Sequence, residues 1–342
     1  MAAEKVIVYG YDTSPMYMKV RYVLLMKRIP HSVVYVEDKP PRPQLLEFGI
    51  TYRRIPVASI GNDVYFDTRL IIDELERRFT PEQGFPSVYT ANGPVEKLLM
   101  THYADNNIFP IAASFIPASR LSAEFKKDRQ QFNPTMDFEA LNNDKPRFLS
   151  QLRTHMYIMQ SIIAKSSTPW LLSTPEPTIV DIALFNLVNW AIRLRATSVL
   201  ILPASKAPAE YRQVMEWVEA MRARTAVEIE DASNPAGKPP KMDKDTAAHY
   251  ALNASPTGSL MGKKLFVDPA EPLIQAGWVS EGDAVSVTPT DSGRVPQFGT
   301  LVGLTAETVS IRIQMAGSQQ SVVGHFPRLG YKIQREKASA KL

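Results

Sequence analysis

Cysteine is absent from all 342 residues. Disulfides, thiolate nucleophiles and cysteine metal sites are therefore excluded. A large excess of one charge is also missing. The net charge is +4 with a sequence pI near 9.0, and the basic residues are scattered apart from the C-terminal REKASAKL. No nucleic-acid or membrane partner is expected from that balance. Long apolar runs are missing too: the longest, IVDIALFNLVNWAI, is too short and too polar to span a bilayer. The start MAAEKVIVYG carries Glu4 and Lys5 and no signal-peptide layout, so a cytoplasmic location is expected. The five histidines, at 31, 102, 155, 249 and 325, form no H-x-x-x-H pair, and no metal site is expected. Neither a G-x-G-x-x-G nor a Walker glycine motif occurs.

What is there is ordinary globular material, 44% hydrophobic and 22% charged, in a length that suits roughly two to three domains. Residues 5–80 alternate strand and helix signals. Val6–Tyr9 and Ser32–Val36 are β-branched and aromatic runs, and Met16–Lys27 between them has helical spacing. A proline-rich loop, KPPRPQLLEFGI, follows. Val57–Ile60 and Val64–Phe66 then flank a Gly61-Asn62-Asp63 turn, and Thr68–Phe79 reads as a helix with a Glu74–Arg78 pair. The order is βαβ-ββα. Residues 92–225 are helical in pattern throughout, in the segments VEKLLMTHYADNNIF, FLSQLRTHMYIMQSIIAK, DIALFNLVNWAIRLRA and YRQVMEWVEAMRAR. The third is apolar nearly all round, which predicts a buried central helix. Residues 226–260, rich in Pro, Gly, Lys and Asp, read as a linker. From residue 261, short β runs separated by turns such as Asp291-Ser292-Gly293 and Ala316-Gly317-Ser318 predict a small antiparallel barrel or sandwich. The expected fold is thus α+β and multidomain: a βαβ-ββα domain over 1–82, an all-α domain over 92–225, the linker, and a β domain over 261–342.

Three local features of the first domain fit together. Ser14-Pro15 opens a helix after the first strand. Arg54-Ile55-Pro56-Val57 places a proline at the start of a strand. Asp67-Thr68 opens the next helix after a hairpin. The set resembles the N-terminal domain of glutathione transferases, which is thioredoxin-like. IPV is similar to their V-P-V element, and FDTRLIIDELE to the start of their third helix. In the helical region, Thr178 and Asp181 of TIVDIALF match a Ser/Thr-x-x-Asp capping element, physically a capping box. The resemblance covers about residues 5–225. The spellings YRRIPV, DTRLI and HFPRLGY, with the added β domain, look like a fungal branch of glutathione-transferase-like proteins.

That resemblance implies roles. A cis Pro56 would leave the backbone of Ile55 to pair with the cysteinyl backbone of glutathione, which would serve as co-substrate. Asp67 and Thr68 would hold the γ-glutamyl end, helped by the anion-favouring helix N-terminus. Arg54, or Arg53 instead, would neutralise the glycyl carboxylate. Ser14 stands where family members keep a catalytic Ser or Cys. With no cysteine in the chain, the thiol must come from the ligand. A thiol of pKa near ~8.5 needs roughly 2.7 kcal/mol of differential stabilisation to fall by about two units. One hydrogen bond to a charged group contributes about 1.5–3 kcal/mol, and a helix N-terminus about 0.3–1 kcal/mol. One hydroxyl at one helix start is quantitatively sufficient.

Simpler readings stand beside these. Ser before Pro is a preferred N-cap and first-residue pair, so taken alone Ser14 reads most simply as only a cap, while Thr68 is a cap in any case. Tyr9, Tyr11, Thr13 and Tyr17 are competing hydroxyls, with Tyr9 and Tyr11 the nearest alternatives. His102, Tyr103, Asp105, Asn106 and Asn107 fall where electrophiles bind in the family, or on a solvated helix face. The function implied is a glutathione-dependent transferase, isomerase or lyase acting on a hydrophobic electrophile, expected as a homodimer. The alternative is a non-catalytic scaffold or ligand-binding protein of the same fold. The shortened acidic residue Asp67, the bulky Tyr52-Arg53-Arg54 and the added domain point that way.

Overall fold

In the computed structural model, which describes residues 5–194, 204–255, 257–260, 262–315 and 318–336, the chain divides into two units. The first comprises residues 1–20, 30–78 and 239–342; the second comprises residues 21–29 and 79–238. The elements run in the expected order. Strand β1 (Val6–Gly10), helix α1 (Pro15–Met26), β2 (His31–Tyr35), the short α2 (Pro43–Leu46), β3 (Val57–Ile60), β4 (Asp63–Phe66) and α3 (Thr68–Arg78) form the thioredoxin-like region. The helices α4 (Gly93–Leu98), α5 (Phe109–Ala113), α6 (Ala123–Phe132), α7 (Phe138–Asn143), α8 (Lys145–Ile163), α9 (Ile179–Arg193) and α10 (Arg212–Glu230) follow. Then come α11 (Lys244–Asn253), the two-residue strands β5 (Ser259–Leu260) and β6 (Lys263–Lys264), and α12 (Pro272–Gln275). Strands β7 (Ala284–Pro289), β8 (Gln297–Leu304), β9 (Thr308–Gln314), β10 (Ser321–Pro327) and β11 (Tyr331–Arg335) complete the chain.

In the first unit β1 pairs parallel with β2 and antiparallel with β3, and β3 pairs antiparallel with β4. All residues of β1, β3 and β4 are buried, as expected for near-continuous Val/Ile/Tyr runs covered on both faces. The C-terminal strands are antiparallel and strand-rich as the turn spacing suggests, but they do not form a separate body. Strand β10 pairs parallel with β4, with His325 opposite Tyr65. The result is one nine-stranded sheet, in the order β11-β7-β8-β9-β10-β4-β3-β1-β2. The reason is physical: β4 ends the thioredoxin-like sheet with unpaired backbone groups, and pairing satisfies them. The Ala316-Gly317 part of one expected turn and the tail beyond Glu336 lie outside the described residues.

The described residues of the segment expected as a linker, 226–260, are structured instead. Helix α10 continues to Glu230. The Val33 N–H of β2 donates to the Pro240 carbonyl at 3.0 Å, and the Met242 N–H donates back to Val33 at 2.9 Å. Proline lacks only the donor, so this Pro-rich stretch still supplies an acceptor at a sheet edge. Asp243 then caps α11 by accepting the Thr246 N–H.

In the second unit α9 is buried along nearly its whole length, as its apolar pattern predicts. Thr178 accepts the Val180 N–H, and Asp181 accepts the Thr178 N–H at 2.9 Å, so the expected capping box is formed. Asp181 also accepts the Trp217 indole N–H and the Leu171 N–H, each at 2.9 Å. The segment expected as one regular helix from Val95 is instead α4, a π-helical stretch Leu99–Ile108, and α5. Pro110 has no N–H to offer the Asn106 carbonyl, and its ring crowds that turn; a wider turn relieves both.

Candidate functional site

Strand register decides which expected residues meet. Tyr9 of β1 lies opposite Val57 of β3, and Val57 lies opposite Phe66 of β4. The residues just beyond those positions therefore share one end of the sheet. They are the Tyr11–Ser14 turn, Ile55–Pro56 and Asp67–Thr68. The Ile55–Pro56 peptide is cis.

Ser14 is 6% exposed. Its Oγ accepts the Tyr17 N–H at 3.3 Å and its carbonyl accepts the Met18 N–H at 2.9 Å, while its own N–H donates to Tyr11. It is an N-cap in fact. The cap uses a lone pair of Oγ, so the hydroxyl proton retains the capacity to be donated.

Tyr9 lies elsewhere. A Cβ on Gly10 would meet the Tyr17 ring at 2.1 Å, so Gly10 faces α1, and alternation along the strand turns Tyr9 to the other face. There its ring stands edge-on to Phe48, with centroids 6.1 Å apart. It is 1% exposed, and burial pushes its pKa well up. Tyr11 is half-buried in the turn itself.

Asp67 adopts φ +74°, in the left-handed region. One carboxylate oxygen, Oδ1, accepts the Arg69 N–H at 3.0 Å and the Arg69 Nε–H at 3.1 Å. Oδ2 accepts from Arg69 and from the Tyr331 hydroxyl, each at 3.2 Å. Burial alone would raise the Asp67 pKa, but the Arg69 charge and hydrogen bonds more than offset it and the pKa is lowered. Thr68 begins α3 and is buried. Arg54 is also engaged: its Nε donates to the Ser292 carbonyl at 3.1 Å, and its Nη2 pairs with the Asp291 carboxylate. Arg53 offers its carbonyl to Arg42.

Residues far along the chain thus complete this end of the sheet. Tyr52 and Tyr331 share a hydrogen bond of 2.7 Å, and Tyr331 passes its own on to Asp67. Burial pushes both phenols up, which keeps them neutral. Phe66 stacks on Phe326 with centroids 4.2 Å apart, and Tyr52 stands edge-on to Phe66 at 4.9 Å. In the sequence Asp291-Ser292-Gly293 has only the pattern of a turn, and Tyr331 carries no local sign of a role. No local pattern announces a partner 238 residues away, the span of the Arg54–Ser292 bond.

The second unit holds the other group of candidates. Tyr103 and His155 share a 3.1 Å hydrogen bond, and burial pushes Tyr103 up to about 12 and lowers His155. Both stay neutral near pH 7. Asn106 reaches His102 Nδ1 at 3.4 Å, and Asn107 reaches the His102 carbonyl. Among the described residues no helix is long and apolar enough to cross a membrane, and no cluster of three His, Cys, Asp or Glu is placed to hold a metal.

Comparison with known proteins bears on the fold. Residues 8–83 match the glutathione S-transferase N-terminal domain family, and residues 111–231 match a domain of unknown function, DUF7962. No curated protein sequence matches. Among solved structures, a GST-like protein from Pseudomonas syringae is 21% identical with a TM-score of 0.62; the likeness covers 98% of this chain and 100% of that one, C-terminal strands included. The glutathione transferase URE2P6 from Phanerochaete chrysosporium, solved with oxidized glutathione, is 15% identical with a TM-score of 0.47 and covers 66% and 93%. A Tau class glutathione S-transferase from mango, Mangifera indica, is 15% identical with a TM-score of 0.47 and covers 72% and 96%. Residues 8–83 are thus similar to a glutathione S-transferase N-terminal domain, and the chain has a glutathione-transferase-like fold.

Proposed function

We propose that the protein is a glutathione-dependent transferase or isomerase that activates the glutathione thiol with Ser14 for attack on a hydrophobic electrophile. The observation that supports this best is the convergence of the Ser14 turn, the cis Ile55–Pro56 peptide and the Asp67–Thr68 helix start at one sheet end. Glutathione would run along the Ile55 backbone, with its γ-glutamyl end toward Asp67 and the N-terminus of α3. Its sulfur would receive the Ser14 hydroxyl proton as a hydrogen bond while Oγ still caps α1. That bond and the α1 N-terminus together supply about 2–4 kcal/mol toward the thiolate, enough for the required shift of about two pKa units.

The test is turnover and binding. The purified protein is expected to bind glutathione in calorimetry and to conjugate it to a chromogenic electrophile. Ser14→Ala is expected to lower kcat/KM at least about tenfold, with a stability loss of about 1 kcal/mol from the cap. A wild-type protein that neither binds nor conjugates glutathione would sink the reading. Sedimentation at micromolar concentration checks the expected homodimer.

A second reading, a non-catalytic scaffold, is favoured by one observation. Arg54 and Asp67, the two charged groups expected to hold ligand, are already bonded by the chain itself. On that reading Ser14→Ala changes stability and nothing else.

A further inference from the structure

Arg54 and Asp291 are unequal partners. The Arg54 side chain is 20% exposed, and the Asp291 side chain is 68% exposed. The guanidinium is held in place: its Nε donates to the Ser292 carbonyl, and the segment before it is fixed by Gln297, whose Oε1 accepts the Thr51 N–H at 2.8 Å and the Tyr52 N–H at 3.2 Å. Asp291 sits in the turn between β7 and β8, where its backbone carbonyl accepts from Arg294 Nε at 3.0 Å. A preorganised, mostly buried cation therefore faces a solvated carboxylate on a turn.

We infer that Arg54 is a carboxylate site that the chain caps in cis, with Asp291 as the built-in occupant that a ligand's peptide-type α-carboxylate displaces. The chemistry matches. Asp291 presents to Nη2 the same planar carboxylate that a peptide C-terminus would, and guanidinium groups favour such acceptors. An ion pair with one exposed partner is worth little, so its displacement costs little. Asp291 then sets specificity: a ligand without a terminal carboxylate leaves the cap closed, and one with it competes directly. The inference deepens the proposed site, and rests on that reading only for placing Arg54 beside the ligand.

The experiment uses N-acetylglycine, which carries the α-carboxylate but neither a thiol nor a γ-glutamyl group. Binding is followed by NMR titration of the Ile55 amide resonance in wild type, Asp291→Asn and the Asp291→Asn/Arg54→Lys double variant, and also of the Arg54 Nε–H resonance in the two proteins that keep the arginine. Asp291→Asn is expected to bind about fivefold tighter than wild type, and the double variant is expected to lose that gain. Equal affinity in wild type and Asp291→Asn overturns the inference, as does a gain that survives in the double variant. Because the probe lacks the thiol, failure to bind or conjugate glutathione rejects the proposed function while leaving this outcome to be read separately. Asp291 is exposed, so Asp291→Asn is expected to fold; matching thermal midpoints confirm it.

Discussion

Asp63 and His325 show how single residues join the two ends of the chain. Asp63 is 0% exposed, and its Oδ1 takes a 2.9 Å hydrogen bond with His325 Nε2. Its Oδ2 accepts the Thr257 N–H at 3.1 Å and the Thr257 hydroxyl at 2.8 Å. His325 Nδ1 in turn meets Ser310 Oγ at 2.8 Å. This buried row runs from β4 through β10 to β9, and every polar atom named in it has a partner. Burial would raise the Asp63 pKa, but the His325 and Thr257 hydrogen bonds more than offset it and the pKa is lowered. A depressed carboxylate pKa adds stability above the unfolded value, near ~3.9, which is lost as pH falls through the folded value. Asp67, lowered by Arg69, acts with the same sign. The thermal midpoint is therefore expected to fall as pH drops below about 4, and to fall less steeply in Asp63→Asn. Parallel slopes for the two proteins would show that Asp63 does not carry the effect.

At the scale of elements, the segment leading into cis Pro56 is held from outside itself. Besides accepting the Thr51 and Tyr52 amides, Gln297 donates Nε2 to the Gly49 carbonyl at 3.0 Å. One buried side chain of β8 thus satisfies three backbone groups of a loop that lacks a strand neighbour there. Gln297→Ala leaves those groups without their partner, and a loss of about 2–3 kcal/mol is expected in urea unfolding, more than an exposed glutamine would cost. Gly49 adds a steric demand: it has φ +71°, and a Cβ there would lie 2.4 Å from the Gln314 carbonyl oxygen. The type and order of these elements were legible because strand alternation, helix spacing and caps such as Thr178–Asp181 act over a few residues. The clamp was not legible, since glutamine on a strand has no local signature of what it grips 248 residues away. The π-helical stretch is not legible for a different reason: its apolar spacing is close to that of an α-helix, and only Pro110 signals the departure.

At the scale of the whole molecule, the first unit is discontinuous in sequence and continuous in its sheet. Strand β10 covers the β4 edge, Phe326 packs on Phe66, and Tyr331 and Ser292 bond to Tyr52, Asp67 and Arg54. A chain ending at residue 238 is therefore expected to lose solubility and cooperative unfolding, because it exposes an unpaired strand edge and an aromatic cluster. Recovery of a soluble, cooperatively melting 1–238 protein would show the C-terminal strands to be dispensable for the fold.

The amino-acid sequence by itself determined the βαβ-ββα order, the helical middle, the strand-rich end and the set of Ser14, Ile55–Pro56 and Asp67–Thr68, because each rests on periodicity, capping or turn chemistry within a few residues. It also excluded cysteine chemistry outright. Only the tertiary structure decided that the C-terminal strands extend the N-terminal sheet, that Tyr9 turns away from Ser14, and that Arg54 and Asp67 already hold partners within the chain. Those outcomes depend on strand register and on contacts between residues more than two hundred positions apart, where hydrogen-bond complementarity and aromatic packing in three dimensions, not local pattern, select the partner.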